Sequence, residues 1–177
     1  MYYGRAQIPG ATYFFTVNLA NRKLSLLVDN IELLKEAIRH VKMARPYEIV
    51  AMVLLPDHLH AVWTSPSGDA DFASRWALIK AGFSRGLPKN ERISKSRQSK
   101  GARGIWQRRY WEHPIRDDDD LARHIDYIHH HPVKHGYVSR AADWPRASTH
   151  PYIRDSIVPS DWAREGNSGG NSWGERS

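Results

Sequence analysis

Three features of the 177-residue sequence predict an α+β fold in which an antiparallel sheet carries helices. Apolar runs rich in aromatic and β-branched residues alternate with segments whose apolar residues recur every three or four positions. The second and third of these runs are separated by little more than Pro56-Asp57, which suits a tight turn between antiparallel strands. Hydrophobic residues make up 41% of the chain, with seven Trp and eight Tyr, enough to fill one core at this length.

ATYFFTVNL (11–19) reads as a first strand, because aromatic and β-branched side chains pack well on a pleated surface. Asp29 or Asn30 can cap a helix in which Ile31, Leu34, Ile38 and Val41 recur at helical spacing, and Pro46 closes it. Tyr47 to Leu54 is a second, apolar strand. At Pro56-Asp57 proline presets the backbone and aspartate tolerates the bend, so His58 to Thr64 returns as a third strand. Residues 65–70 hold Ser, Pro, Gly and Asp and read as a loop. Asp71 to about Phe83 is a second helix with Phe72, Trp76, Ile79 and Phe83 on one side. Gly86 to Gly104 is polar, basic and Ser-rich and is expected to be a mobile loop. Ile105 to Tyr110 is expected as the fourth strand and Asp117 to His131 as a third helix. The order β-α-β-β-α-β, then a helix, fits a ferredoxin-like split βαβ sheet with helices packed on one face plus a C-terminal helix. From about Arg164 the chain is Gly, Ser, Asn and charge, which predicts a domain over 1–163 and a disordered tail over 164–177.

Composition narrows the function classes. There is no cysteine, so disulfides and Cys-based zinc sites are excluded and a reducing cytoplasm is the simplest home. No apolar run reaches membrane-spanning length, and the N-terminus lacks the basic-then-apolar layout of a signal peptide. No membrane partner is therefore expected. Net charge is +7 and is unevenly placed. Eleven Lys or Arg lie between residues 75 and 109 (Arg75, Lys80, Arg85, Lys89, Arg92, Lys95, Arg97, Lys100, Arg103, Arg108, Arg109), against Glu91 alone. A basic block on a near-neutral body is the footprint of a polyanion binder, although a solvated charged loop has the same composition.

Two local patterns carry chemistry. In HLH (58–60) the histidines stand at i and i+2, so on a strand both rings point to one face and Leu59 to the other. Two imidazoles on one face can chelate a divalent cation if a third ligand arrives from elsewhere; alone, such a pair is more often a surface feature than a metal site. The second pattern is RHIDYIHHHPVKHG (123–136). At 100° per residue Leu121, Ile125 and Ile128 share a core-facing sector. His124, Tyr127 and His131 form a second stripe about 90° away, with His131 at i+4 from Tyr127. His129 and His130 point elsewhere, so the triplet is not one site. Asp117 to Asp120 suit the positive end of this helix, and Pro132 limits its extension. The stripe can be a polar helix edge, or a nucleophile and a metal ligand on one rigid face.

DHLH after an apolar strand, WQRRYWEH, and DYIHHHPVKHG followed by DWP resemble the REP-associated tyrosine transposases, a bacterial branch of the single-tyrosine HUH nucleases. YYGRAQIPGATYFFTVNL and the closing VPSDWA fit the same pattern, so the similarity runs from about Tyr2 to Trp162. The resemblance implies that His58 and His60 hold a divalent metal ion (Mn or Mg), and that Tyr127 is the catalytic nucleophile. It places the third ligand four residues on, where the family usually has Asn or Gln and this chain has His131. It also implies a covalent 5′-phosphotyrosine intermediate, in which the energy of the broken bond is kept, so that no ATP and no P-loop are needed.

The implied substrate is single-stranded DNA beside hairpins of repetitive sequence, cut and rejoined in a cytoplasmic, nucleoid-associated setting by a monomer or homodimer. The basic residues from Arg75 to Arg109, together with Arg5, are candidates for the DNA backbone, and Trp106, Tyr110 and Trp111 for stacking on bases, unless they pack in the core. Rival readings are a non-catalytic regulator that binds DNA or RNA hairpins, and a zinc hydrolase working through bound water.

Overall fold

Strand β1 (Thr12–Asn18) has five consecutive buried residues, Tyr13 to Val17, and such a run has to lie inside a sheet covered on both faces. In the computed structural model, which describes residues 7–147 except 92, 100 and 102, β1 is a central strand. It pairs antiparallel with β3 (His58–Thr64) on one side and β4 (Trp111–Pro114) on the other. Strand β2 (Glu48–Leu54) completes the order β2-β3-β1-β4 through its antiparallel pairing with β3. This is the split βαβ arrangement predicted from the sequence.

The two faces of the sheet differ. Tyr13, Phe15, Val17, Leu59, Ala61 and Trp63 meet helices α2 (Ile31–Ala44) and α3 (Phe72–Gly86) in the larger core. Trp63 stacks on Trp76 of α3 with ring centres 4.5 Å apart and 18° between planes. Helix α2 buries Leu34, Ala37, Ile38 and Val41, each large aliphatic adding about 1.5–3 kcal/mol when fully covered. The two helices approach closely at Gly82, where a Cβ would lie 3.3 Å from that of Ala37. The opposite face presents Phe14 and Val62 to Tyr127 and Ile128 of α5 (Asp118–Lys134), which makes the smaller core.

Several boundaries differ from expectation. Helix α2 is preceded by a short helix α1 (Leu26–Asp29), and the Asn30 amide donates back to the Leu26 carbonyl (3.0 Å) instead of capping α2. The Gly86–Gly104 loop contains a four-residue helix, α4 (Lys95–Gln98). Arg103 anchors its end by pairing with Glu91 and donating to the Leu87 and Pro88 carbonyls at 2.9 and 2.7 Å. The fourth strand is Trp111–Pro114, not Ile105–Tyr110. Ile105 and Trp106 reach only an isolated bridge at Leu19 and plug into the core, and Trp106 donates its indole N–H to the Lys80 carbonyl. Helix α5 runs past Pro132, because a proline near the end removes only one late N–H and Gly136 (φ +71°) then stops the helix. The predicted tail over 164–177 lies outside the described residues.

Candidate metal centre and nucleophile

Strand β3 projects His58 and His60 from the face that α5 covers, and α5 brings His131 down onto them. All three are buried. The Nε2 atom of His131 lies 3.0 Å from Nε2 of His58 and 3.0 Å from Nε2 of His60. Two ligand nitrogens about 2.1 Å from one cation and at right angles to it stand about 3.0 Å apart, so the observed spacing fits a shared divalent ion. The far side of each strand imidazole is occupied. Asp57 Oδ1 meets His58 Nδ1 at 2.7 Å, and the Thr16 hydroxyl meets His60 Nδ1 at 2.9 Å. The carboxylate accepts the Nδ1 proton of His58, which leaves its Nε2 lone pair directed at the centre.

The electrostatics suit metal binding. Burial pushes the Asp57 carboxyl up, but its bonds to His58 and Arg22 outweigh this and hold it at about 2, so it is an anion at neutral pH. Burial, followed by the neighbouring imidazoles and Lys134, drives His60 and His131 well below the usual histidine range. Both rings are therefore neutral at physiological pH, the form that ligates metal.

Tyr127 sits one helical turn before His131. Its ring centre is 4.9 Å from His131 and 5.2 Å from His60, and its edge meets Phe14 at 5.8 Å. It is 8% exposed, and the Lys134 ammonium lies 5.6 Å from its ring centre. The nucleophile candidate and the three ligand candidates thus form one cluster spanning a strand and a helix. His135, absent from the expected site, also joins it, with its ring 4.3 Å from His131. Its i+4 spacing from His131 was the available signal. Of the other two members of the triplet, His129 is fully buried and burial lowers it to about 4, while His130 is half-buried.

A second polar cluster was not anticipated. Asp120, assigned from sequence only to the helix dipole, is 1% exposed and receives the Arg116 backbone N–H at 3.0 Å and His113 Nε2 at 2.9 Å. His124 Nδ1 bonds to the Asp120 carbonyl at 2.7 Å and lies 3.3 Å from its carboxylate. Burial pushes this carboxyl up, but His113 and the Arg116 N–H hold it far below its usual range.

The basic candidates divide. Arg85, Lys95, Arg108 and Arg109 are exposed. Arg75 is turned inward, not toward solvent: it is 2% exposed, paired with Asp69 at 2.6 Å and donating to the Arg45, Pro46 and Asp71 carbonyls. Lys80 is turned to the Gln107 carbonyl (3.0 Å), and Arg103 is engaged with Glu91. Arg97 is half-buried and donates to the Gly104 carbonyl at 2.9 Å. Trp106, 8% exposed, packs 5.4 Å from Phe83 and offers no face to a base. Arg5 and Lys100 lie outside the described residues.

No model of a known family matches the chain. Individual relatives do. The chain is 45% identical over 161 residues, 91% of its length, to the REP-associated tyrosine transposase of Escherichia coli (strain K12), covering 90% of that protein. A Haemophilus influenzae relative bearing the same family name is 46% identical over 161 residues, covering 90% of this chain and 92% of the relative. The fold superposes with a TM-score of 0.83, at 43% identity, on the solved structure of a REP-associated tyrosine transposase bound to a REP hairpin, covering all of this chain and 98% of that one. At 45 and 46% identity over nine tenths of each chain, and with the fold shared at a TM-score of 0.83, the chain belongs to the REP-associated tyrosine transposases.

Proposed function

We propose that this protein is a metal-dependent nuclease and strand transferase acting on single-stranded DNA beside hairpins of repetitive sequence. The observation that carries the reading is the packing of Tyr127 against two of three imidazoles whose Nε2 atoms converge within 3.0 Å contacts. The solved relative holds a REP hairpin, which supports hairpin DNA as the substrate here. Among the described residues no helix is long and apolar enough to cross a membrane.

His58, His60 and His131 would hold the cation, which when bound polarises the scissile phosphate and offsets charge on its oxygens. Asp57 and Thr16 fix the two strand imidazoles so that no reorientation is needed when DNA arrives. The Tyr127 oxygen attacks phosphorus and loses its proton. The bond from phosphorus to the 3′ oxygen breaks, and that oxygen leaves as a 3′-OH, with the 5′ phosphate held on tyrosine. A second 3′-OH can then displace the phenol and reseal a strand. The Lys134 ammonium over the Tyr127 ring supplies positive charge next to the phenol and the incoming phosphate.

Tyr127→Phe tests this reading. The change removes one hydroxyl from a ring whose packing on Phe14 is unaltered, so the fold and hairpin binding should persist. Incubation with single-stranded hairpin DNA from flanking genomic repeats, followed by a denaturing gel, should show cleavage and a protein–DNA adduct for the wild type and neither for the variant. An adduct of equal yield in the variant would refute the assignment.

A further inference from the structure

We propose that Trp111, together with the imidazole column behind it, forms a stacking subsite for one unpaired nucleobase beside the metal centre. This deepens the DNA-cutting reading above and rests on it.

Trp111 pairs across the sheet with Thr16, the residue whose hydroxyl holds His60, and therefore stands on the same face as the three imidazoles. Trp111 and Tyr127 both lie against Phe14, at 5.7 and 5.8 Å between ring centres. A single strand rising about 3.4 Å or more per nucleotide crosses that separation in a few steps. Trp106 is buried and Tyr110 packs on Phe15 and Trp76, but Trp111 is 38% exposed on an edge strand.

The indole is supported from behind. Trp111 lies parallel to His113 (4° between planes, 5.7 Å), and His113 lies on His124 (20°, 4.8 Å). Asp120 locks both imidazoles from a fully buried position. Packing an edge strand needs only apolar side chains, and burying a carboxylate and two imidazoles for that purpose would cost stability. What the buried polar network does deliver is an indole of fixed orientation, which loses little freedom when a base stacks on it. Reading the same trio as a second cation site is less favourable. The Asp120 oxygens already face the Arg116 and Arg123 guanidinium groups at 3.5 Å, so a cation there would meet positive charge. Those two arginines keep 67% and 46% of their side chains exposed, in position for phosphates flanking a stacked base.

The test uses the full chain and two hairpin oligonucleotides, one with a single-stranded flank and one without. 2-Aminopurine is placed at each flank position in turn. Wild type should quench one position strongly. Trp111→Leu, which keeps an apolar side chain but has no π-face, should lose that quench and bind the flanked hairpin about tenfold or more weakly, with the bare hairpin unaffected. Trp111→Tyr should retain most of both effects. Equal affinities of wild type and Trp111→Leu for the flanked hairpin, or equal losses on both hairpins, would overturn the subsite. A failure of the wild type to bind either hairpin would instead overturn the DNA reading itself, and the subsite with it. If Trp111→Leu does not fold, an abasic scan of the flank with wild type and Trp111→Tyr decides the question. One position must cost about tenfold, and a flat scan refutes the proposal.

Discussion

Replacing Thr16 by Val isolates the orientation of one candidate ligand, His60. The two side chains have nearly the same shape, both suit a strand, and residue 16 is buried in the middle of β1, so packing should be kept. What disappears is the 2.9 Å contact between the hydroxyl and His60 Nδ1. That nitrogen is fully buried and would be left unsatisfied, at about 1–3 kcal/mol. Metal-free protein should therefore lose about that much unfolding free energy, read as a lower urea midpoint. In the metal-bound protein His60 would no longer be held with Nε2 toward His58 and His131, and removal of such outer partners typically lowers metal affinity about 10- to 100-fold. Manganese titration by calorimetry at fixed pH, alongside urea unfolding in chelator, reads both quantities. A variant with wild-type manganese affinity would show that Thr16 does not orient a ligand. If that variant also lost stability, the hydrogen bond would be structural only.

Other expectations concern the third ligand, the basic surface and acid stability. Three nitrogens favour later transition metals over magnesium, so wild type should be more active with manganese than magnesium, and His131→Asn should move the preference toward magnesium; identical metal profiles in a cleavage titration would remove His131 from the ligand set. Reversing Lys95, Arg108 and Arg109 to Glu should flatten the dependence of hairpin affinity on salt, because each lost phosphate contact releases fewer counterions; an unchanged slope would place the DNA elsewhere. The hydrogen bonds of Arg75 hold the Asp69 carboxyl at about 2, below its ordinary value, so this pair contributes stability above about pH 4 that is lost as pH falls through 2. Asp69→Asn should thus destabilise the protein at pH 6 and make little difference at pH 2, and a constant gap in urea midpoint across that range would contradict the assignment.

Much of the candidate site's geometry was legible in sequence because its signals are local. Period-two alternation in HLH sets both rings on one face, and the i+4 relation of Tyr127 and His131 sets another pair on one stripe, whatever surrounds them. The fold was legible for the same reason, through the short Pro56-Asp57 turn and the apolar periods of α2 and α3. What escaped depends on partners far along the chain. Arg75 looked like one cation in a basic block, but the carbonyls of Arg45 and Pro46, about thirty residues away, draw it inside. Asp120 looked like a helix-dipole acid, and only the approach of β4 with His113 makes it a buried hub. The fourth strand was misplaced because the apolar pair Ile105-Trp106 marks a core plug, which composition alone does not separate from a strand.

The alternation of β3 also bears on how sequence change can reach the centre. His58, His60 and Val62 lie on one side of this strand, and Leu59, Ala61 and Trp63 on the other, sunk into the large core. A slip of one residue against β1 would carry two imidazoles under α2 and α3 and lift a tryptophan into the space before Tyr127. No intermediate register exists between these two states, since the side-chain repeat is two. The position of the two imidazoles is therefore held by the apolar reverse of their own strand. A single-residue insertion or deletion between Pro56 and Thr64 should abolish folding and metal binding together, whereas substitutions on the ligand side alone can retune the ion while the sheet stays in register.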